Sequence, residues 1–338
     1  MTGLSRSLPL AATLALLGAC ASSSRLGDIQ PLAKELPAEL QKKFEVVERG
    51  EKTTPAVSPS PSPIATKRAV DKKRRRGKHA KASIAAPPPF VIPDRRPKVN
   101  PVWIGERQVL EVTYIGIKAG EFTLDVLPVK QVADRPVYHL RANAVSSSMM
   151  NLFYSLNDTL ESFWDVTGLF SHRFHLVLDE TKQKRDALEL YDPEAKKAFY
   201  WNRRNHVDKG NTETKETFDI QSPFVQDSFS ALYYVRTLPL EDGKVYSFPV
   251  VSEGKEWEAV VTVVRREDMD TPLGKKRCVV IRPQTRFQGV IKQEKGDSFI
   301  WLTDDDRRFI VRLEAEVKVG SVSARLTSVE PGEKPDGE

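Results

Sequence analysis

Between residues 102 and 329 the apolar residues recur at every second position in short runs separated by turn residues, and this alternation constrains the chain more than any other feature. A period of two sets one side of each run against a core and the other toward solvent, the pattern of half-buried strands. In 108–115, Leu110, Val112 and Tyr114 share one face, and Ile117-Lys118-Ala119-Gly120 reads as the turn into Phe122, Leu124 and Val126. Further strands are predicted over 137–145, 159–166, 171–179, 185–191 and 197–202. Others follow over 245–251, 257–265, 276–281, 298–302, 308–318 and 321–328. Asp192-Pro193, Asp242-Gly243 and Val319-Gly320 supply turn chemistry. Connections this short join antiparallel neighbours, because parallel strands need long crossovers. The expected fold is therefore all-β dominated: a large, mostly antiparallel curved sheet or barrel-like domain over 102–329, with one or two short helices, a disordered N-terminal tether and a disordered tail over 330–338.

Two segments break the alternation. Residues 147–156, with Met149, Met150, Leu152 and Phe153, read as a short helix or loop. Residues 227–238 read as a helix: Asp227 is a cap, Phe229, Leu232, Tyr233 and Arg236 share a face, and Pro239 is the stop.

The N-terminus carries a second kind of information. Arg6 precedes an apolar run over 8–17, then Gly18, Ala19 and Cys20. That order is a secretory signal over 1–19, and the run falls short of the roughly 20 residues a spanning helix needs. Leu17-Gly18-Ala19-Cys20 resembles the lipobox of bacterial lipoproteins, which implies cleavage before Cys20 and acylation of that residue. The alternative is an ordinary signal cleaved near Ala19 or Ala21 that leaves an incidental cysteine. Ala21 is not the aspartate that retains lipoproteins in the inner membrane, so the expected location is the outer membrane, facing the periplasm. The second cysteine, Cys278, lies in an alternating apolar context and reads as a small core residue.

Residues 20–101 read as a lipid-anchored tether. A brief helix over 37–49 is plausible, with Leu40, Phe44 and Val47 on one stripe. A Pro/Ser spacer over 55–63 and the basic residues Lys72, Lys73, Arg74, Arg75 and Arg76 follow. Between 66 and 98 there are twelve Lys/Arg against two Asp, a net of +10; the whole chain carries +6, which leaves about −4 elsewhere. The basic character belongs to the tether, where it suits anionic lipid headgroups or cell-wall carboxylates, and an exported chain does not meet nucleic acid. About 80 residues would reach on the order of 50 Å as a coil.

Catalytic and metal signatures are weak. His172 and His175 stand three apart on a predicted strand and point to opposite faces. Asp304-Asp305-Asp306 lacks the spaced ligands and glycine of a calcium loop and reads as a turn. Glu161 with Asp165, Asp179 with Glu180, and Ser146-Ser147-Ser148 have no companion signal for hydrolysis. No cofactor is expected and the chain reads as a non-enzyme. The abundant aromatic residues, among them Phe163, Trp164, Tyr200, Trp201, Trp257 and Trp301, read mainly as core. A large curved sheet can nevertheless present a second apolar face that helices or a ligand must cover. Candidate contacts for an apolar ligand, or for a lid over it, are Met149, Met150, Phe153, Tyr154, Tyr233 and Tyr234.

The domain resembles the exported bacterial proteins grouped as "domain of unknown function 3108". The resemblance rests on Gly105-Glu106 before the first strand, Gly116-Ile117-Lys118-Ala119-Gly120, and above all Asp227-Ser228-Phe229-Ser230-Ala231-Leu232-Tyr233-Tyr234-Val235-Arg236 with Gly243. Thr271-Pro272-Leu273-Gly274, Trp301 to Arg308 and Gly320-Ser321 extend it. It implies an exported β-rich domain and brings no activity, cofactor or catalytic residue. The leading expectation is a non-enzymatic envelope lipoprotein whose β domain binds an apolar ligand or a protein partner. The alternatives are an assembly factor contacting cell wall and outer-membrane proteins, or an envelope hydrolase. Oligomeric state is not legible.

Overall fold

A computed structural model describes residues 26, 29–49, 90–287, 290–292, 296–316 and 320–334. Cys20 and the basic run from Lys72 to Arg76 lie outside the described residues, as does the tail beyond 334. The chain divides into two units, 1–49 with 93–338, and 50–92; every helix and strand named below belongs to the first.

The predicted alternation forms one sheet. After a 3-10 turn (Leu32–Lys34) come α1 (Ala38–Lys43) and β1 (Val47–Glu48). Then follow β2 (Ile104–Tyr114), β3 (Ile117–Val132), β4 (Arg135–Ser146), a 3-10 turn (Met150–Leu152) and β5 (Asn157–Asp165). Next are β6 (Ser171–Asp179), β7 (Gln183–Asp192), β8 (Lys197–His206), β9 (Gly210–Asp219) and α2 (Ser230–Arg236). The chain ends through β10 (Val245–Ser252), β11 (Lys255–Thr271), β12 (Gly274–Phe287), β13 (Val290–Lys292), β14 (Ser298–Thr303), β15 (Ile310–Glu316) and β16 (Ser321–Glu333). Neighbours run β10-β11-β12-β14-β15-β16-β2-β3-β4-β5-β6-β7-β8-β9, with β1 on β3 and β13 on β12. The named strand pairs are all antiparallel.

The strand ladder does not close. The sheet curls until the β10–β11 hairpin reaches the other end: a Cβ on Gly254 would lie 2.2 Å from Glu216 and 2.9 Å from Tyr200. Glu253 there pairs with Arg185 at 3.2 Å. Among the described residues, an isolated bridge of Gln226 with Val250 joins the region after β9 to β10.

Several boundaries differ from expectation. The first turn is Ile115-Gly116, with φ of 49° and 76°, both in the left-handed region as a type I′ two-residue hairpin turn requires. Residues 117–120 are already strand, and Gly120 is needed because a Cβ would sit 2.2 Å from the Val145 carbonyl oxygen. β9 escaped the pattern because its residues, Gly210–Asp219, are nearly all polar and exposed. β16 continues to Glu333, past the expected domain end.

Alternation sends side chains into two cores. Trp164, Phe174, Leu176, Ala187, Tyr191 and Ala198 line the concave side, where α2 inserts Phe229, Leu232, Tyr233 and Val235. The intervening residues Phe163, Leu188, Leu190, Phe199 and Trp201 face outward, and Leu32, Leu36 and Phe44 cover them. Residues 29–49 are therefore part of the fold, which corrects the expectation of a tether free along all of 20–101. The stripe that makes this possible was legible as Leu40 and Phe44; Val47 instead stays exposed beside β3. Burying each such side chain contributes roughly 1.5–3 kcal/mol.

Candidate functional site

The sheet end that carries the β2–β3 turn also carries other loop tips, and backbone hydrogen bonds join several of them into one rim. Ile115 N–H donates to Ser321 O, Ser147 N–H to Ala119 O, Thr181 N–H to Ser155 O, and Val207 N–H to Lys182 O. Along this rim apolar side chains face solvent: Ile115, Ile117, Val145, Met149 and Val207, with Leu152 at 79% and Phe153 at 71% exposure at its crest. Isolated exposed apolar residues are ordinary; Met149, Leu152 and Phe153 stand out because they are neighbours in one short segment. One corner of the rim is cationic. Burial first, and then the charges of Arg204 and Lys209, push the His206 imidazole below its ordinary value, with Lys182 adding to them and Asp208 opposing.

The crest is held rigidly. Ser147 Oγ accepts from Met150 N–H and donates to Lys118 O, and Ser146 Oγ pairs with Asn151 and accepts from Leu156 N–H. The serine run that lacked a nucleophile frame thus has a fastening role. Beneath the crest, the Tyr154 hydroxyl donates to Glu180, which also accepts from Gln183 at 2.7 Å. Glu180 lies against Asp158. Burial raises both carboxyls above their ordinary values, Glu180 raises Asp158 further, and the pair shares a proton more readily than two solvated acids would. Sequence reasoning missed this pair, because Asp158 on β5 and Glu180, just past the end of β6, have no motif linking them.

The polar groups of the interior hold α2 in place. Asp227 Oδ1 accepts from Phe229 and Ser230 N–H, 2.7 Å each, and Oδ2 accepts from Ser162 at 2.5 Å, so the predicted cap also ties the helix to β5. Gln226 accepts from the Trp164 indole at 2.8 Å and donates to Leu169 O. At the helix C-terminus, fully buried Arg236 grips Glu106 through both guanidinium nitrogens, and Arg307 reaches the same carboxylate at 2.8 Å. Arg307 stacks over Trp103. Glu189 is wholly buried near Asp227, and burial pushes it up to about 7 even though Tyr191 and the Glu253 N–H donate to it. This set can fix a helix against a sheet; most of its donors and acceptors are turned on one another, while Arg236 Nε and the Tyr233 hydroxyl are buried without a hydrogen-bond partner.

The six candidate contact residues do not converge. Met149, Met150, Phe153 and Tyr154 belong to the rim, with Phe153 outward and Tyr154 buried. Tyr233 is in the concave core, while Tyr234 meets Phe248 edge to face and accepts from Arg95 at 2.9 Å. Arg236 on the same helix meets Glu106, about 26 Å along β2 from Tyr114 and the rim. The methionine segment projects outward from the opposite end of the sheet, away from α2.

The remaining candidates are accounted for locally. His172 pairs with Asp165 at 3.0 Å and His175 with Asp186 at 2.8 Å, two separate carboxylates. Glu161 pairs with His139 and Arg141, and Asp179 with Lys184. Asp305 caps the β14–β15 turn through Arg307 and Arg308 N–H, and Asp304 meets Arg266 at 2.8 Å. Among the described residues no group of three His, Cys, Asp or Glu could hold a metal ion, and no helix is long and apolar enough to cross a membrane. Cys278 is buried, and burial pushes its thiol up to about 11.

A family model described as "Protein of unknown function (DUF3108)" matches residues 109–327. The chain belongs to that family. The DUF3108 span opens inside β2 and closes inside β16, so it takes in the rim and α2 and leaves out residues 29–49 that cover the outer face. Solved structures align along comparable lengths. A β-barrel-like protein of the DUF1849 domain from Brucella abortus gives a TM-score of 0.45 at 10% identity, covering 68% of this chain and 98% of its own. A candidate exported protein with a YmcC-like fold from Bacteroides fragilis gives 0.31 at 10% identity, covering 69% and 98%. A candidate lipoprotein from Parabacteroides distasonis gives 0.26 at 10% identity, covering 71% and 100%. No curated protein matches the chain in sequence.

Proposed function

We propose that this chain is a non-enzymatic lipoprotein of the cell envelope, anchored through Cys20 in the outer membrane on its periplasmic face, whose β domain is a binding module. Its binding surface is the apolar rim, and the observation that carries the reading is the joined row of loop tips from Ile115 to Val207 with Leu152 and Phe153 at its crest. The concave side favours no competing surface, because Phe229 and Tyr233 of α2 pack into it and Asp227, Glu189 and Arg236 close on protein partners. The anchor rests on the Leu17-Gly18-Ala19-Cys20 pattern.

Two measurements test this. The intact mass of the protein extracted from membranes should show acyl groups on Cys20, and Cys20→Ser should move the chain to the soluble fraction; unchanged membrane retention would remove the anchor. Native mass spectrometry of the extracted chain should show no stoichiometric bound lipid in its interior. Hydrolysis of peptidoglycan or phospholipid by the purified chain, lost in Glu189→Gln, would overturn the non-enzymatic reading.

A further inference from the structure

The direction in which residues 29–49 cross the outer face of the sheet bears on where the rim points. Gln30 O accepts from Arg203, and Leu32 N–H donates to Asp186. Arg203 stands three residues before His206 and the β8–β9 tip of the rim, about 10 Å along the strand. Further on, Lys43 pairs with Asp192, and Val47 and Glu48 pair with Gln131 and Lys130. Asp192 and Gln131 lie at the far end of the sheet, beside the β7–β8 and β3–β4 turns. The segment thus runs away from the rim, with Gln30 at its rim-side end. Only ten residues separate Gln30 from Cys20, a reach of at most about 35 Å.

The chemistry of the rim agrees with that geometry. Its crest is a convex knuckle of Met149, Leu152 and Phe153, fixed from below by Tyr154. Lys118, paired with Glu111 at 2.7 Å, stands beside it, and Lys182, Arg204 and Lys209 gather around His206 at one corner with Asp208 among them. Apolar tips with an adjacent cationic edge suit the headgroup and acyl boundary of an anionic bilayer.

We infer that the rim from Ile115 to Val207 is a lipid-surface contact: Leu152 and Phe153 enter the interface of an anionic bilayer while Lys118, Lys182 and Lys209 meet its headgroups. This deepens the binding-module reading, rests on the rim being its working surface, and does not require Cys20 to be acylated.

The test uses the whole chain from residue 20 with Cys20→Ser, so that no acyl group contributes. The basic run is removed as a confounder through Lys72→Gln, Lys73→Gln, Arg74→Gln, Arg75→Gln and Arg76→Gln. In this background the chain should float with vesicles of phosphatidylglycerol and phosphatidylethanolamine. Phe153→Trp emission should shift to the blue and be quenched by brominated acyl chains. Leu152→Asp with Phe153→Asp should lower partitioning at least tenfold, and because both side chains are exposed, circular dichroism and the thermal midpoint should stay unchanged. A chain that stays at the bottom of the gradient, or floats with unshifted emission at residue 153, overturns the inference. A photo-cross-linker at residue 153 should form lipid adducts in cells; one discrete protein adduct in their place would assign the rim to a protein partner. Failure here with acylated Cys20 still found in cells would leave the anchor standing and remove only the lipid contact.

Discussion

Arg236 and Glu106, 130 residues apart in the chain, meet in two parallel N–H···O bonds of 2.7 and 2.8 Å with both side chains closed off from solvent. The pair joins the C-terminus of α2 to the start of β2, and through Arg307 it also holds the β14–β15 turn. Buried charges of this kind are costly to strand alone, since the desolvated partner keeps its penalty.

Glu106→Gln or Arg236→Met should therefore lower the free energy of unfolding by about 3–5 kcal/mol, read by urea denaturation. A loss below about 1 kcal/mol would mean that the pair is not what fastens the helix.

The helix was legible and the clamp was not. Asp227, the spacing of Phe229, Leu232, Tyr233 and Arg236, and Pro239 define a capped, one-faced helix in sequence, and all four face residues are buried. Arg236 even falls on the buried face, which signals a buried partner without saying which. Glu106 and Arg307 reach it only because the sheet curls, and curvature arises from packing across strands far apart in sequence. The outward side chains Leu188, Leu190, Phe199 and Trp201 form the second apolar face that a large curved sheet can present, while its cover, residues 29–49, read as part of the tether. It folds because the sheet supplies the other half of its core.

That cover can be tested through Phe44, which is 3% exposed against β6–β8. Phe44→Ala should cost about 3–5 kcal/mol as a core truncation would, and limited proteolysis should then release fragments cut between 29 and 49. A neutral substitution would return this segment to the role of a tether.

Tyr154→Phe removes the hydroxyl that fastens the crest to Glu180. A hydrogen bond to a group sharing charge is worth about 1.5–3 kcal/mol, and the variant should lose stability in that range. Proteolysis within 147–156 should also quicken. Unchanged cleavage there would show that the serine contacts suffice.

Glu189 predicts a pH dependence with a definite sign. Its folded value, about 7, lies above the ordinary carboxyl value because burial disfavours the charge. A raised acid stabilises fully below its unfolded value, and that contribution is lost as pH rises through the folded one. Stability should thus fall between pH 5 and 8. Asp227, Asp158 and Glu180, also raised, act in the same direction. Glu161, held down to about 2 by His139 foremost, is ionised throughout that window and adds no slope there. Glu189→Gln should flatten the thermal midpoint against pH; an identical slope in the variant would place its source elsewhere.

The proposed orientation, with the rim against a bilayer, carries the most weight. Spin labels at residue 153 on the rim and at residue 134, in the β3–β4 turn at the far end, can be compared in the acylated protein reconstituted into anionic bilayers. With the rim against the bilayer, lipid-dissolved oxygen should relax the label at 153 at interfacial depth while the label at 134 reports only water. Equal aqueous exposure of both labels, or the reverse order, would contradict a rim-down orientation.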